Sequence, residues 1–163
     1  MSFALFEQIA RSVKNVGTPA PIDSSAVHPF DERNIHPAVA KVARKLFDNG
    51  HYPQATFEAF KFIDDQVRKI SGVRNTGFPL MMAAFDAEKG PPKIQLNDLV
   101  SMSDTDEQHG FRYIFAGSAS GIRNPRGHDN DYDRPDSIDQ CLDHLSVASV
   151  FYRMLENRKL PKT

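Results

Sequence analysis

An all-α fold is predicted by three observations: apolar residues recur at spacings of three and four over several stretches, start and stop signals bracket them, and repeated strand-like alternation is absent. The chain has 163 residues, enough for one domain to bury a core without disulfides or metal. Apolar residues make up 40% and charged residues 25%, a globular usage that argues against wholesale disorder. The organisation read from the pattern is an N-terminal helix and linker over residues 1–35, then a bundle of four to five helices over residues 36–163.

The first helix is expected over 2–16, where Phe3, Phe6, Ile9, Ala10 and Val13 share one face. Gly17, Pro19 and Pro21 break it, and the stretch to Ile35 shows no period and reads as a linker, with His28 given no role. At His36-Pro37 proline can occupy a first helical turn, where its missing N–H would have no partner. Val39, Val42, Ala43, Leu46 and Phe47 carry that helix to Asn49-Gly50, which can supply the left-handed backbone that stops it.

A longer helix is expected from near Pro53 to Ile70, with Ala55, Ala59, Phe62, Ile63 and Val67 on its apolar face and Gly72 at its end. A shorter one follows over 79–87, its Met81 and Met82 acting as core filler before Gly90-Pro91-Pro92. Ile94, Leu96, Leu99 and Val100 fall in a loop, and the acidic run 103–107 supplies N-cap candidates. Phe111, Ile114, Phe115, Ser118 and Ile122 continue at helical spacing, and the small residues 116–121 suit a tight helix pair or a dimer seam. The last helix begins around Arg134-Pro135-Asp136 and carries Ile138, Leu142, Leu145, Ala148, Phe151 and Leu155.

Composition also excludes. The single cysteine, Cys141, permits no intramolecular disulfide and no cysteine-rich zinc site; it reads as a buried helix residue in a reducing compartment. No apolar stretch is long enough to span a bilayer and no secretory leader is visible, so no membrane association and a cytoplasmic location are expected. A net charge of −1 argues against a protein that coats nucleic acid non-specifically, and leaves room for a local contact made by a few cations.

The chemistry-bearing segment is Arg123-Asn124-Pro125-Arg126-Gly127-His128-Asp129, read as a polar turn between two apolar helices. Pro125 restricts the backbone and Gly127 frees it, which can bring His128 back toward Arg123. Cleaving an RNA phosphodiester requires removal of a 2′-hydroxyl proton and stabilisation of charge at phosphorus. Histidine titrates near neutrality and suits the first need, while a guanidinium matches phosphate oxygens and suits the second. Asn124 could orient either partner or hold a phosphate. Composition alone leaves the alternative open, since Arg-Asn-Pro is good turn chemistry and a histidine after glycine is often a solvated loop residue.

Arg123 and His128, with four residues between them and Asn124 directly after the arginine, resemble the signature of HEPN proteins. The segments His36-Pro37-Ala38-Val39, Gly50-His51-Tyr52, Glu58-Ala59-Phe60-Lys61, Leu80-Met81-Met82 and Gly121-Ile122-Arg123-Asn124-Pro125 are similar to the Ymh-type abortive-infection branch of that superfamily. The resemblance covers roughly 36–155. It implies a helical bundle that forms a homodimer with two motifs facing one composite cleft. It implies metal-independent endoribonuclease activity on an RNA substrate, without a cofactor, leaving a 2′,3′-cyclic phosphate. It also implies a role in host defence against phage or in a toxin system, with an antitoxin or defence-system partner. In a toxin subgroup a tyrosine two residues after the histidine is modified by a nucleotidyltransferase; here that position is Asn130, and Tyr132 comes too late.

Glu58, Lys61 and Asp64 can form one polar stripe with Asp65 nearby, either a solvated face or, for Glu58 and Lys61, groups that orient Arg123 or His128. Arg126 is a phosphate-contact or surface candidate. His36, His51, His109 and His144 show no metal-ligand spacing, and Asp129, Asp131 and Asp133 lack the glycine and distant glutamate of a calcium loop. Two other functions fit the same residues. One is a non-catalytic helical module that binds nucleotide, RNA or protein through the cleft; the other is a dimerisation domain whose N-terminal helix docks on a partner.

Overall fold

The computed structural model describes residues 27–128 and 135–160, with the side chain of His128 excluded. The expected helix over 2–16 and the acids Asp129, Asp131 and Asp133 lie outside the described residues. The described chain is all-α: α1 Pro29–Glu32, α2 Pro37–Asp48, α3 Tyr52–Ser71, α4 Gly77–Ala84, α5 Met102–Ser118, a π-helical turn Ala119–Arg123, α6 Asn124–His128 and α7 Ile138–Glu156. Among the described residues the only β-type pairing is an isolated bridge between Gln95 and Lys159, and no helix is long and apolar enough to cross a membrane.

Both His-Pro steps start helices by one device. The Nδ1 of His36 accepts from Ala38 N–H and the Nδ1 of His28 from Phe30 N–H, both at 3.1 Å, with proline in the first turn. An imidazole thus does the work usually given to a serine or aspartate oxygen. The second instance corrects the linker reading. The four-residue α1 is too short to show a period, yet Phe30 and Ile35 are buried in the core and Arg153 donates to Asn34 O at 2.6 Å. The packed unit therefore includes residues upstream of His36, and His28 both caps α1 and bonds Asp48 Oδ1 at 2.8 Å.

Helix α3 is the hub: it packs against α2, α4, the π turn, α6 and α7. Its inner face, Ala55, Ala59, Phe60, Ile63 and Val67, is buried, and Gly72 ends it with a left-handed φ of 68°. Phe85, Phe115 and Phe151 form a run of aromatic contacts, with ring centres 4.6 and 4.0 Å apart, and Phe60 meets Phe151 edge-on at 6.3 Å. These contacts join α5 and α7 to α3 and to the end of α4, at about 0.5–1.5 kcal/mol per aromatic pair beyond area burial. Met81 is core filler, as its context suggests. Cys141 is buried as expected, and burial pushes its thiol up to about 11, which leaves it protonated and unreactive.

The boundaries that differ do so for polar reasons. Helix α4 starts at Gly77, two residues before the expected position, because Gly77 N–H donates to buried Asp64 Oδ2 at 2.8 Å. The chain leaves it at Phe85 because Gln108, fully buried on α5, clamps the following loop: its Nε2 donates to Phe85 O and Ile94 O, and its Oε1 accepts from Leu96 N–H. Helix α5 begins with a capping box between Ser101 and Asp104, upstream of the expected caps. Helix α7 is capped by Ser137, whose Oγ accepts from Gln140 N–H at 3.1 Å, which leaves Asp136 outside the helix for another partner.

Candidate active site

The segment read as a polar turn is helical. α5 runs on through the π turn into α6, so Arg123 is the last residue of the π turn and His128 the last of α6. Pro125 supplies the reason. It has no N–H to donate and its ring clashes with the carbonyl four residues back in a regular helix. One turn of wider radius absorbs the conflict: Asn124 N–H reaches back five residues to Ala119 O, and the side chain of Arg126 donates through Nη1 to Ile122 O at 2.7 Å. Along such a helix Arg123 and His128 stand roughly 7.5 Å apart in axial rise.

Arg123 is half-buried. Its Nη1 donates to Asn124 Oδ1 at 3.0 Å, its Cζ lies 5.5 Å from the ring centre of Phe57 on α3, and among the described residues its buried Nε has no hydrogen-bond partner. An orphaned buried donor costs about 1–3 kcal/mol, so this guanidinium is held at some expense to stability. Asp64 lies near it. Burial pushes the Asp64 carboxyl above its ordinary range, while the bond from Gly77 N–H and the charges of Arg123 and Arg68 pull it partly back. Asp64 is 2% exposed, so the solvated-stripe reading fails for this residue.

The remaining candidates divide. Asn124 Oδ1 accepts from Arg123 Nη1, its neighbour in the motif. Arg126 is turned inward, away from a phosphate or surface role: its Nε and Nη2 fork onto both oxygens of Asp136 at 2.6 Å, with side chains 5% and 1% exposed. Glu58 and Lys61 pair with each other at 3.0 Å on the surface, and neither bonds Arg123; Lys61 Nζ reaches the motif only through the same Phe57 ring, 5.9 Å from its centre. Asp65 pairs with Arg68 at 2.6 Å. The side chain of His128 lies outside the described residues.

His36 bonds Glu156 at 3.0 Å besides capping α2, and the rings of His36 and Tyr152 are 4.7 Å apart. His144, on α7, is held below its ordinary pKa by burial and then by the Arg126 charge. Among the described residues no cluster of histidine, cysteine and acids could hold a metal ion. Phe57 was missed by sequence reasoning, although an aromatic beside Glu58 and Lys61 on the polar side of an amphipathic helix was a visible signal.

Comparison with known proteins adds one match. A family model described as "Protein of unknown function (Hypoth_ymh)" covers residues 33–155, which include α2 through nearly all of α7. No curated protein and no solved structure matches the chain.

Two outcomes are expected from this geometry. Asp136→Ala strands a buried guanidinium and should cost about 3–5 kcal/mol in urea unfolding, most of which the apolar pair Arg126→Met/Asp136→Leu should recover. A cost below about 1 kcal/mol for Asp136→Ala would show a solvated pair. For Asp64 the folded-state pKa is raised, so the folded protein holds its proton more tightly than the unfolded chain does. Wild type therefore loses stability as pH rises through that pKa. Asp64→Asn should be at least as stable as wild type near neutrality, with wild type gaining on it as urea midpoints are followed from about pH 7 to about pH 4.

Proposed function

The chain belongs to the Hypoth_Ymh family, and from that premise we propose that it is a metal-independent endoribonuclease acting in anti-phage defence, with Arg123, Asn124 and His128 at its active centre. His128 takes the proton of a ribose 2′-hydroxyl. The 2′-oxygen then attacks phosphorus, and the 5′-oxygen of the next nucleotide leaves and takes up a proton, so the products are a 2′,3′-cyclic phosphate and a 5′-hydroxyl. Arg123 stabilises the charge on the non-bridging oxygens as phosphorus becomes five-coordinate. The observation that carries the reading is the Arg123 guanidinium, oriented by Asn124 and Phe57 while its buried Nε keeps an unused donor. A cation oriented before substrate arrives needs no reorganisation in the transition state.

The active form in this reading is a homodimer. Gly110, Ile114, Gly117 and Gly121 lie three or four residues apart along α5 and the π turn, next to Tyr113, and all are exposed. An added Cβ at any of these three glycines would meet nothing within 4 Å, so packing within the protomer does not call for them. Helix-interior glycine costs about 0.5–1 kcal/mol relative to alanine, and close approach of a second backbone would give these positions a reason. The stripe ends two residues before Arg123 in the chain, so a second copy packed along it would bring the two motifs near one seam. An antitoxin or other defence partner that holds the dimer silent completes the proposal.

Purified wild type is expected to cut total or transfer RNA in excess EDTA and leave cyclic-phosphate ends, while Arg123→Ala and His128→Ala lose at least about 100-fold in rate. Silence of wild type across RNAs and partners, or equal cutting by the variants, would favour a non-catalytic binding module. Gly117→Leu should leave the protomer folded by circular dichroism and shift sedimentation from dimer to monomer, with cleavage lost in parallel. A Gly117→Leu protein that still sediments as a dimer would remove α5 from the seam.

A further inference from the structure

Arg123 is held from a direction that its own segment does not explain. Among the described residues, the bond to Asn124 and the ring of Phe57 are the contacts that hold its guanidinium, with the charge of Asp64 nearby. A guanidinium within about 6 Å of an aromatic centre is attracted by the ring quadrupole, more so where water is partly excluded. Phe57 is half-buried, and the Arg123 Nε beside it is buried.

Gly127 meets the same ring. A Cβ added there would lie 2.7 Å from Phe57 Cε2, and its three nearest atoms all belong to that ring. Every other described glycine has nothing within 4 Å of such a Cβ. The missing side chain of Gly127 is therefore used: it lets α6 close on Phe57. One ring on α3 thus contacts both the arginine that opens the motif and the residue just before His128.

We propose that Phe57 is the positioning residue of the motif, setting the place of the Arg123 guanidinium and, through the bare Cα of Gly127, the seat of the α6 end that carries His128. What the positioning achieves rests on the ribonuclease reading; the contact itself does not. Phe57 touches no reacting atom in this scheme. It acts through Arg123 and through the backbone at Gly127, and Lys61 near the same ring helps fix its environment.

The test compares Phe57→Leu, Phe57→Tyr, Gly127→Ala and the double variant Phe57→Leu/Gly127→Ala with wild type. Cleavage kinetics of an RNA oligonucleotide are read together with the Arg123 Nε–H resonance by NMR. Phe57→Leu and Gly127→Ala should each lower kcat by about 10- to 100-fold with KM within about twofold, since an ångström-scale misplacement acts on chemistry more than on binding. Phe57→Tyr should keep most of the rate. The double variant should be faster than Gly127→Ala alone, because the shorter leucine leaves room for the new Cβ, a non-additivity that expresses direct contact. Strictly additive losses, or Phe57→Tyr no better than Phe57→Leu, would overturn the proposal. If wild type cuts no RNA across the RNAs and partners tested, the function reading fails, and the resonance decides alone. A ring-current shift lost in Phe57→Leu and kept in Phe57→Tyr supports the contact; an Arg123 resonance indifferent to both refutes it.

Discussion

The buried fork between Arg126 and Asp136 is the constraint from which the site's geometry hangs. Two charged groups taken out of water are tolerable only if their donors and acceptors meet with good geometry, which the paired 2.6 Å contacts provide. The pair ties α6, a helix of five residues, to the entrance of α7. It adds to what α6 already has, its packing against α3 and its continuity with the π turn. The same guanidinium satisfies Ile122 O, a carbonyl in the disturbed ladder around Pro125. One arginine thus mends the helix and anchors it.

A second constraint comes from α3, whose two sides serve different ends. Its apolar side supplies core residues that nearly every other helix packs against. Its other side presents Phe57 and Asp64 toward the π turn. Burying Asp64 costs free energy, as its raised pKa shows, and so does the orphaned Nε of Arg123. Neither feature is what a domain selected for stability alone would keep. The dense aromatic contacts elsewhere supply stability that offsets these costs.

The π turn joins these constraints. Inserting one residue's worth of extra backbone shifts the register of everything after it, so the face on which Arg123 stands differs from the one a regular continuation of α5 would give. Ala116, Ser118 and Ala119 turn inward and allow close packing, while Gly117, Ser120 and Gly121 face outward. The run of small residues therefore serves the bundle with one half and leaves the other half open.

Periodicity and punctuation, both local properties, made most of the architecture legible from the sequence. The all-α class, the ends of α2 and α3 at Asn49-Gly50 and Gly72, the loop over Ile94 to Val100, and the buried state of Cys141 and Met81 follow from spacing, glycine and proline. The segment around Arg123 and His128 stood out through its resemblance to a family signature more than through any local pattern. What the sequence could not show was where polar side chains find distant partners. Arg126 looks like a free surface cation until Asp136, ten residues on, claims it; Asp64 looks solvated until Gly77 and Arg123 surround it. Pro125 suggests a break, yet the helix passes it with one wider turn instead. Local pattern determines which residues become helical and which face is apolar; the burial of a charge, its partner and the bend of a helix depend on contacts made only when the bundle closes.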